Sequence, residues 1–116
     1  MKIKCCKENL LAVQDTMDIL KGRWKIQIIA ALCYNKMRFS DLQKEIDGIS
    51  AKMLSNELKD LEVNQLVTRT VLNTQPISVE YELTKYGYTL KKIIEQLAEW
   101  GISHRKKIIS DDRTIV

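Results

Sequence analysis

The chain has 116 residues, the length of a single domain. With 45% hydrophobic and 29% charged residues it has the make-up of a folded domain, and its length excludes multidomain enzymes and folds of about 200 residues or more, such as a (β/α)8 barrel. Its 19 Lys+Arg against 15 Asp+Glu leave a net charge of +4, which permits a nucleic-acid or anionic-surface partner and leaves the decision to where the charges lie.

No run approaches the ~20 apolar residues of a membrane span, so no membrane partner is expected. The start, Met1-Lys2-Ile3-Lys4-Cys5-Cys6-Lys7-Glu8, has no apolar stretch behind its lysines and does not read as a secretory signal. Three cysteines, two of them adjacent, fit reduced thiols in the cytoplasm better than a disulfide-stapled secreted fold. One Pro, four Gly and no repeat give no internal boundary, so residues 1–116 are expected to form one domain with an N-terminal arm over 1–8.

In chain order, the spacing of Leu10, Val13, Met17 and Leu20 predicts an amphipathic helix over 9–20, stopped by Lys21-Gly22-Arg23. Residues 24–34 are apolar on most sides (Trp24, Ile26, Ile28, Ile29, Ala30, Ala31, Leu32, Cys33), as suits a helix in the middle of a core. Ser40-Asp41-Leu42-Gln43 has the form of a capping box, predicting a short helix that starts after Phe39 and ends near Gly48. Ser50 can cap a fourth helix over 51–64, with Leu54, Leu58 and Leu61 on one stripe. The period then changes. Residues 67–72 are β-branched and residues 79–83 alternate, with Val79, Tyr81 and Leu83 inward, so 66–83 reads as a hairpin with a six-residue tip. The facing of its first strand is open, since both sides carry apolar residues. Thr84 can cap a last helix over 85–107 whose stripe is Leu90, Ile93, Ile94, Leu97, Trp100, Gly101, His104 and Ile108. The whole is mainly α with a small β-hairpin, an α+β chain in the order of a winged helix-turn-helix domain with extra helices at both ends.

The helix after Ser50 carries the chemistry. With its leucine stripe near 0°, Ser55, Lys59, Lys52 and Asn56 fall at about 100°, 140°, 160° and 200°. That outward face suits double-stranded DNA, because Lys can bind phosphate or guanine and Asn can pair with adenine. The helix N-terminus at Ser50 adds phosphate attraction. A solvated helix face has the same composition; the short helix before it and the hairpin after it favour DNA. Lys36 and Arg38 can touch the sugar-phosphate backbone or simply keep the loop soluble; the hairpin tip is the weaker case, since Asn73, Thr74, Gln75 and Ser78 can donate to phosphates but the nearest cation is Arg69.

Cys6 lies among Lys2, Lys4 and Lys7 just before a helix start, a setting that favours thiolate, and Cys5 can assist; two inert thiols are the other reading. Cys33 reads as a small buried hydrophobe and His104 as a packed residue of the last helix. Neither a metal nor another cofactor is expected: Cys5, Cys6, Cys33 and His104 lack ligand spacing. No nucleophile or phosphate-loop motif supports an enzyme. The stripes of the first and last helices are expected to form a homodimer through Leu10, Met17, Leu90, Ile94, Leu97 and Trp100, setting two reading helices about 34 Å apart; the alternative is that both fold onto their own subunit.

Several segments in order carry a resemblance. They are Cys6 ahead of an amphipathic helix, Lys21-Gly22-Arg23-Trp24-Lys25, Arg38-Phe39-Ser40-Asp41-Leu42, Gly48-Ile49-Ser50-Ala51-Lys52-Met53-Leu54, Leu58-Lys59-Asp60-Leu61-Glu62 with Leu66-Val67, Val79-Glu80-Tyr81-Glu82-Leu83-Thr84, Gly87, and Trp100-Gly101. Over about residues 6–107 the chain resembles the HxlR-type winged-helix transcriptional regulators of bacteria. The resemblance implies a cytoplasmic homodimer on operator DNA, with the helix over 51–64 in the major groove, the hairpin at the minor groove, and the first and last helices in the dimer. It also implies oxidant or electrophile sensing at Cys6. The chain departs from the family pattern at Lys7, where many relatives have Pro, at Ser78, often basic in relatives, and in the additional thiol of Cys5. A winged-helix protein-interaction module that leaves DNA alone is the rival reading, and a small-molecule effector pocket between the dimer helices is compatible with either.

Overall fold

A computed structural model describes residues 6–114, with side chains through residue 110. The elements run α1 (Cys6–Ile19), α2 (Lys25–Leu32), β1 (Met37–Arg38), α3 (Phe39–Glu45), α4 (Ala51–Val63), β2 (Val67–Leu72), β3 (Ser78–Leu83), α5 (Lys85–Tyr88) and α6 (Lys91–Thr114).

The core forms where the apolar stripes converge. Ile28, Ile29 and Leu32 of α2, Leu42 of α3, Leu54, Leu58 and Leu61 of α4 and Val67 of β2 are all but inaccessible, and Tyr81 and Leu83 close the cluster from the sheet. Each such side chain contributes roughly 1.5–3 kcal/mol relative to exposure. The 3- and 4-residue spacing of the α4 leucines therefore decides which side of α4 is buried.

The hairpin is part of a three-stranded antiparallel sheet in the order β1-β3-β2. Leu72 pairs with Ser78, so the tip is the five residues 73–77 and not six. Met37 and Arg38 pair with Tyr81 and Glu80, adding a strand that sequence periodicity does not reveal. Two residues are too few to show a period. The open question of β2's facing is also answered: Val67 is buried, while Thr68, Arg69, Thr70 and Val71 are exposed.

Three helix starts differ from expectation. The first helix begins at Cys6 and not at Asn9, so residues 6–8 of the expected arm are helical and Cys6 lies in the first turn. The residue before α3 is Arg38, held extended (φ −75°, ψ 156°) by its place in β1, and helical geometry begins at once with Phe39. Ser40 is thus inside the first turn, and the expected capping box is not formed. The last helix is divided. Thr84 does cap α5, its Oγ1 accepting from the Gly87 N–H at 2.9 Å. The chain then tightens through Thr89 N–H to Tyr86 O and Leu90 N–H to Gly87 O (both 3.1 Å), i to i−3 bonds that break the α pattern before α6 resumes it.

The end of α4 fixes how the sheet leaves the helix. Gln65 adopts positive φ (63°), and the Leu66 and Gln65 N–H groups donate back to Leu61 O and Glu62 O, both at 2.9 Å. This is a Schellman closure, with Leu66 and Leu61 buried beside it. The Thr84 hydroxyl donates to Gln65 O at 2.7 Å, locking the start of α5 onto the same turn. Gly87 completes the joint: a Cβ there would run into the Leu66 carbonyl oxygen and stand 3.3 Å from Leu83 Cδ2.

The terminal helices behave differently. No residue of α1 is buried. Leu10, Leu11, Val13 and Met17 on α1 are exposed, as are Ile93, Leu97, Trp100 and Ile102 on α6. The radius of gyration is 17.4 Å, against about 13 Å for a compact chain of this length.

Candidate nucleic-acid interface

The turn between α3 and α4 is built by two residues. Gly48 takes φ +84°, with the Trp24 ring end 3.9 Å from where a Cβ would stand, and Ile49 is buried as an anchor. Ser50 then sits extended (φ −79°, ψ 158°) and its Oγ accepts from the Met53 N–H at 3.1 Å. That bond satisfies one of the free N–H groups of the first turn. The Ser50 hydroxyl proton remains able to donate outward.

With Leu54, Leu58 and Leu61 at 0–1% exposure, the opposite side of α4 must face solvent. Lys52, Asn56 and Lys59 are exposed there, and Ser55 is half-buried at the edge. Ser55, Lys59 and Arg69 line one groove of about 440 Å³ between α4 and the sheet, together with Phe39, Glu62, Val79 and Tyr81. Arg38 and Thr74 line an adjoining groove of about 500 Å³ between the start of α3 and the hairpin tip. Phe39 and Val79 border both grooves, so Ser55, Lys59 and Arg69 on one side and Arg38 and Thr74 on the other line adjoining grooves; Lys52 and Asn56 lie outside both. Asn73 is exposed at the tip. Thr74 is engaged within it, donating to Pro76 O at 2.7 Å and lying 3.1 Å from Ser78 Oγ, so it stiffens the tip.

Sequence reasoning missed Lys25. This lysine is 4% exposed at the start of α2, and its Nζ lies 3.0 Å from Glu57 Oε2 and 3.2 Å from Asp60 Oδ2 on α4. Burial by itself would lower its pKa. Hydrogen bonds to the two carboxylates and their charges outweigh that and hold the ammonium above its ordinary 10.5. The two acids, three apart on one flank of α4, were visible in the sequence; their partner 32 residues away was not.

The thiols divide as expected in part. Cys33 is buried, and burial pushes its thiol pKa up despite the opposing charge of Lys91. Cys6 is the exposed first residue of α1, and Cys5 lies outside the described residues. His104 is not packed in a core: it is exposed on α6, its ring stacked on Trp100 at 4.9 Å. Among the described residues no group of three or more His, Cys, Asp or Glu is placed to hold a metal ion, and no helix is long and apolar enough to cross a membrane. Leu10, Met17, Leu97 and Trp100 stand exposed, whereas Leu90 and Ile94 are half-buried against their own chain's core.

A short helix, a turn through Gly48, a second helix bearing a polar ridge, and a hairpin beside it define a winged helix-turn-helix protein. Residues 19–108 match the sequence model of the HxlR-like helix-turn-helix family, and the chain belongs to that family of transcriptional regulators. It is 34% identical over 110 residues to the HTH-type transcriptional regulator YtcD of Bacillus subtilis (strain 168), covering 95% of this chain and 87% of that one. It is 40% identical over 105 residues to the HTH-type transcriptional regulator BH0655 of Halalkalibacterium halodurans, covering 85% and 93%. Among solved structures, the redox regulator HypR in its reduced form superposes with a TM-score of 0.78 at 35% identity, covering 85% of this chain and 98% of that one.

Proposed function

We propose that this protein regulates transcription in the cytoplasm by binding operator DNA as a homodimer. The carrying observation is the exposed ridge of Lys52, Asn56 and Lys59, backed by three fully buried leucines that fix its direction. In the major groove the lysines neutralise phosphate or donate to guanine, and Asn56 donates to and accepts from one adenine edge. Ser50, Ser55 and Arg69 flank the ridge, and Arg38 and Asn73 hold the register on the backbone, while Thr74, whose hydroxyl is spent on Pro76 O, stiffens the tip that carries Asn73.

Selection of bound duplexes from a random pool supplies the operator. Fluorescence anisotropy then tests the ridge. Replacing both Lys52 and Lys59 by Ala should weaken binding and flatten its salt dependence by about two counterions. Asn56→Ala should relax the preference at one base pair, at ~1–3 kcal/mol for a bidentate contact. A double lysine variant that binds as well as the parent would remove α4 from the interface.

The rival reading, a winged helix that binds only protein, drew its support from a hairpin tip without a cation. Arg38 shares a groove with that tip, so a guanidinium is at hand where the tip itself has none.

A thiol response is part of the proposal. Cys6 is exposed at the N-terminal end of α1, which touches its own core at its far end through Ile19, and one relative by structure is a redox regulator. A mild oxidant should change the DNA affinity of the wild type, and Cys6→Ser should abolish the change. A full response in that variant would move the sensor elsewhere.

A further inference from the structure

The DNA-facing helix has an electrostatic problem. Within Ala51–Val63 there are two lysines, Lys52 and Lys59, against three carboxylates, Glu57, Asp60 and Glu62. Affinity for a duplex rests on neutralised phosphates, so an acidic helix in the groove opposes its own function. On the helical wheel used for the ridge, Glu57 and Asp60 fall at about 300° and 240°, and Asn56 at about 200°. One of the two acids thus borders the reading residues, and its side chain is 60% exposed.

Lys25 meets both acids from beneath. Its ammonium approaches on the flank away from Lys59, binds Glu57 at 3.0 Å and Asp60 at 3.2 Å, and is itself 4% exposed, so it cannot reach a phosphate. Lys36, by contrast, is drawn to Glu80 at 3.8 Å across the sheet.

Resting on the reading of α4 as the groove-entering helix, we propose that Lys25 is a positioning residue for DNA recognition: it neutralises and pins Glu57 and Asp60 on one flank of α4, so that neither carboxylate opposes Lys52, Asn56 and Lys59 at the duplex. The raised pKa of Lys25 is consistent with a fixed positive charge at every pH at which the protein would meet DNA. Removing the charge leaves both carboxylates uncompensated and lets Asp60, the one that borders the ridge, repel the phosphates and compete for the helix's own cations.

The test measures affinity for the selected operator across a salt series, using wild type, Lys25→Met, Lys25→Arg and the triple variant Lys25→Met/Glu57→Gln/Asp60→Asn. At about 0.1 M salt Lys25→Met should bind about five- to tenfold more weakly, from like-charge repulsion over roughly 10 Å. The deficit should shrink toward nothing by about 0.5 M as the repulsion is screened. The triple variant should regain wild-type affinity without any lysine at 25, and Lys25→Arg should retain most of it. Asp60→Asn alone leaves the Lys25–Glu57 bond in place and should bind at least as tightly as wild type; it serves where Lys25→Met does not fold. A loss that persists undiminished at high salt and is not rescued in the triple variant would make Lys25 a packing residue and overturn the proposal. So would unchanged affinity in folded Lys25→Met, or weakened binding in Asp60→Asn. If the wild type binds no duplex, the DNA reading itself falls and this role with it.

Discussion

Gln65 shows how a single backbone angle organises this protein. Its φ of 63° lets two N–H groups close the end of α4, yet a side chain pays a steric cost there that glycine does not. Gln65→Gly should therefore stabilise the fold, by about 0.5–1 kcal/mol, read as a raised urea midpoint. Gly87 is the opposite case. The Leu66 backbone already occupies the space of a Cβ, and Leu66 C would stand 3.1 Å from it, so Gly87→Ala should destabilise by about 1–3 kcal/mol through forced displacement of the α5 joint. Lys25 adds a pH dependence. Its folded pKa is raised, so its contribution is complete below about 10.5 and is lost as pH climbs through the folded value. Lys25→Met should cost about 2–3 kcal/mol at neutral pH, less than a fully buried pair because Asp60 stays solvated. That gap, measured by urea unfolding, should hold to about pH 10 and narrow above it. A gap already closing near pH 8 would contradict the ion-pair account.

Among the elements, α4 was the most legible. Its length, its Ser50 cap and its buried stripe all follow from local periodicity and capping chemistry, which act within one or two turns. Leu58→Ala should cost about 2–5 kcal/mol, because the side chain is 1% exposed within the one core cluster and its loss leaves a cavity there. The start of α3 was misread for an instructive reason. A Ser40-to-Gln43 box is a correct local motif, but the pairing of Arg38 with Glu80, more than forty residues away, holds Arg38 extended and lets the helix begin at Phe39, earlier than the box implies, leaving Ser40 inside it. β1 was illegible for the same reason, since its strand character exists only through its neighbour β3. The split between α5 and α6 likewise comes from Thr84 and Gly87 docking on the α4–β2 turn, which the continuous apolar stripe conceals.

On the scale of the molecule, the unburied helices set the outstanding demand. Exposed Leu10, Val13 and Met17 on α1 and Leu97 and Trp100 on α6, on a chain of 57 × 42 × 22 Å, leave apolar surface that a second copy would cover. If the proposed homodimer forms through this surface, Leu97→Glu with Trp100→Glu should yield a monomer in light scattering and weaken operator binding by at least about tenfold, since one half-site is then held alone. Persistence of the dimer would place its interface elsewhere. Leu90 and Ile94 are poorer test sites, because they also cover their own core.

The sequence by itself determined the helical order, the hairpin, the buried face of α4 and hence the outward direction of Lys52, Asn56 and Lys59, because these depend on spacing within a few turns. The tertiary structure alone decided what spans the chain: Lys25 beneath Glu57 and Asp60, Arg38 beside the hairpin tip, and the break before α6. Those arise from groups far apart in sequence meeting in space, and no local pattern encodes which buried charge will find which partner.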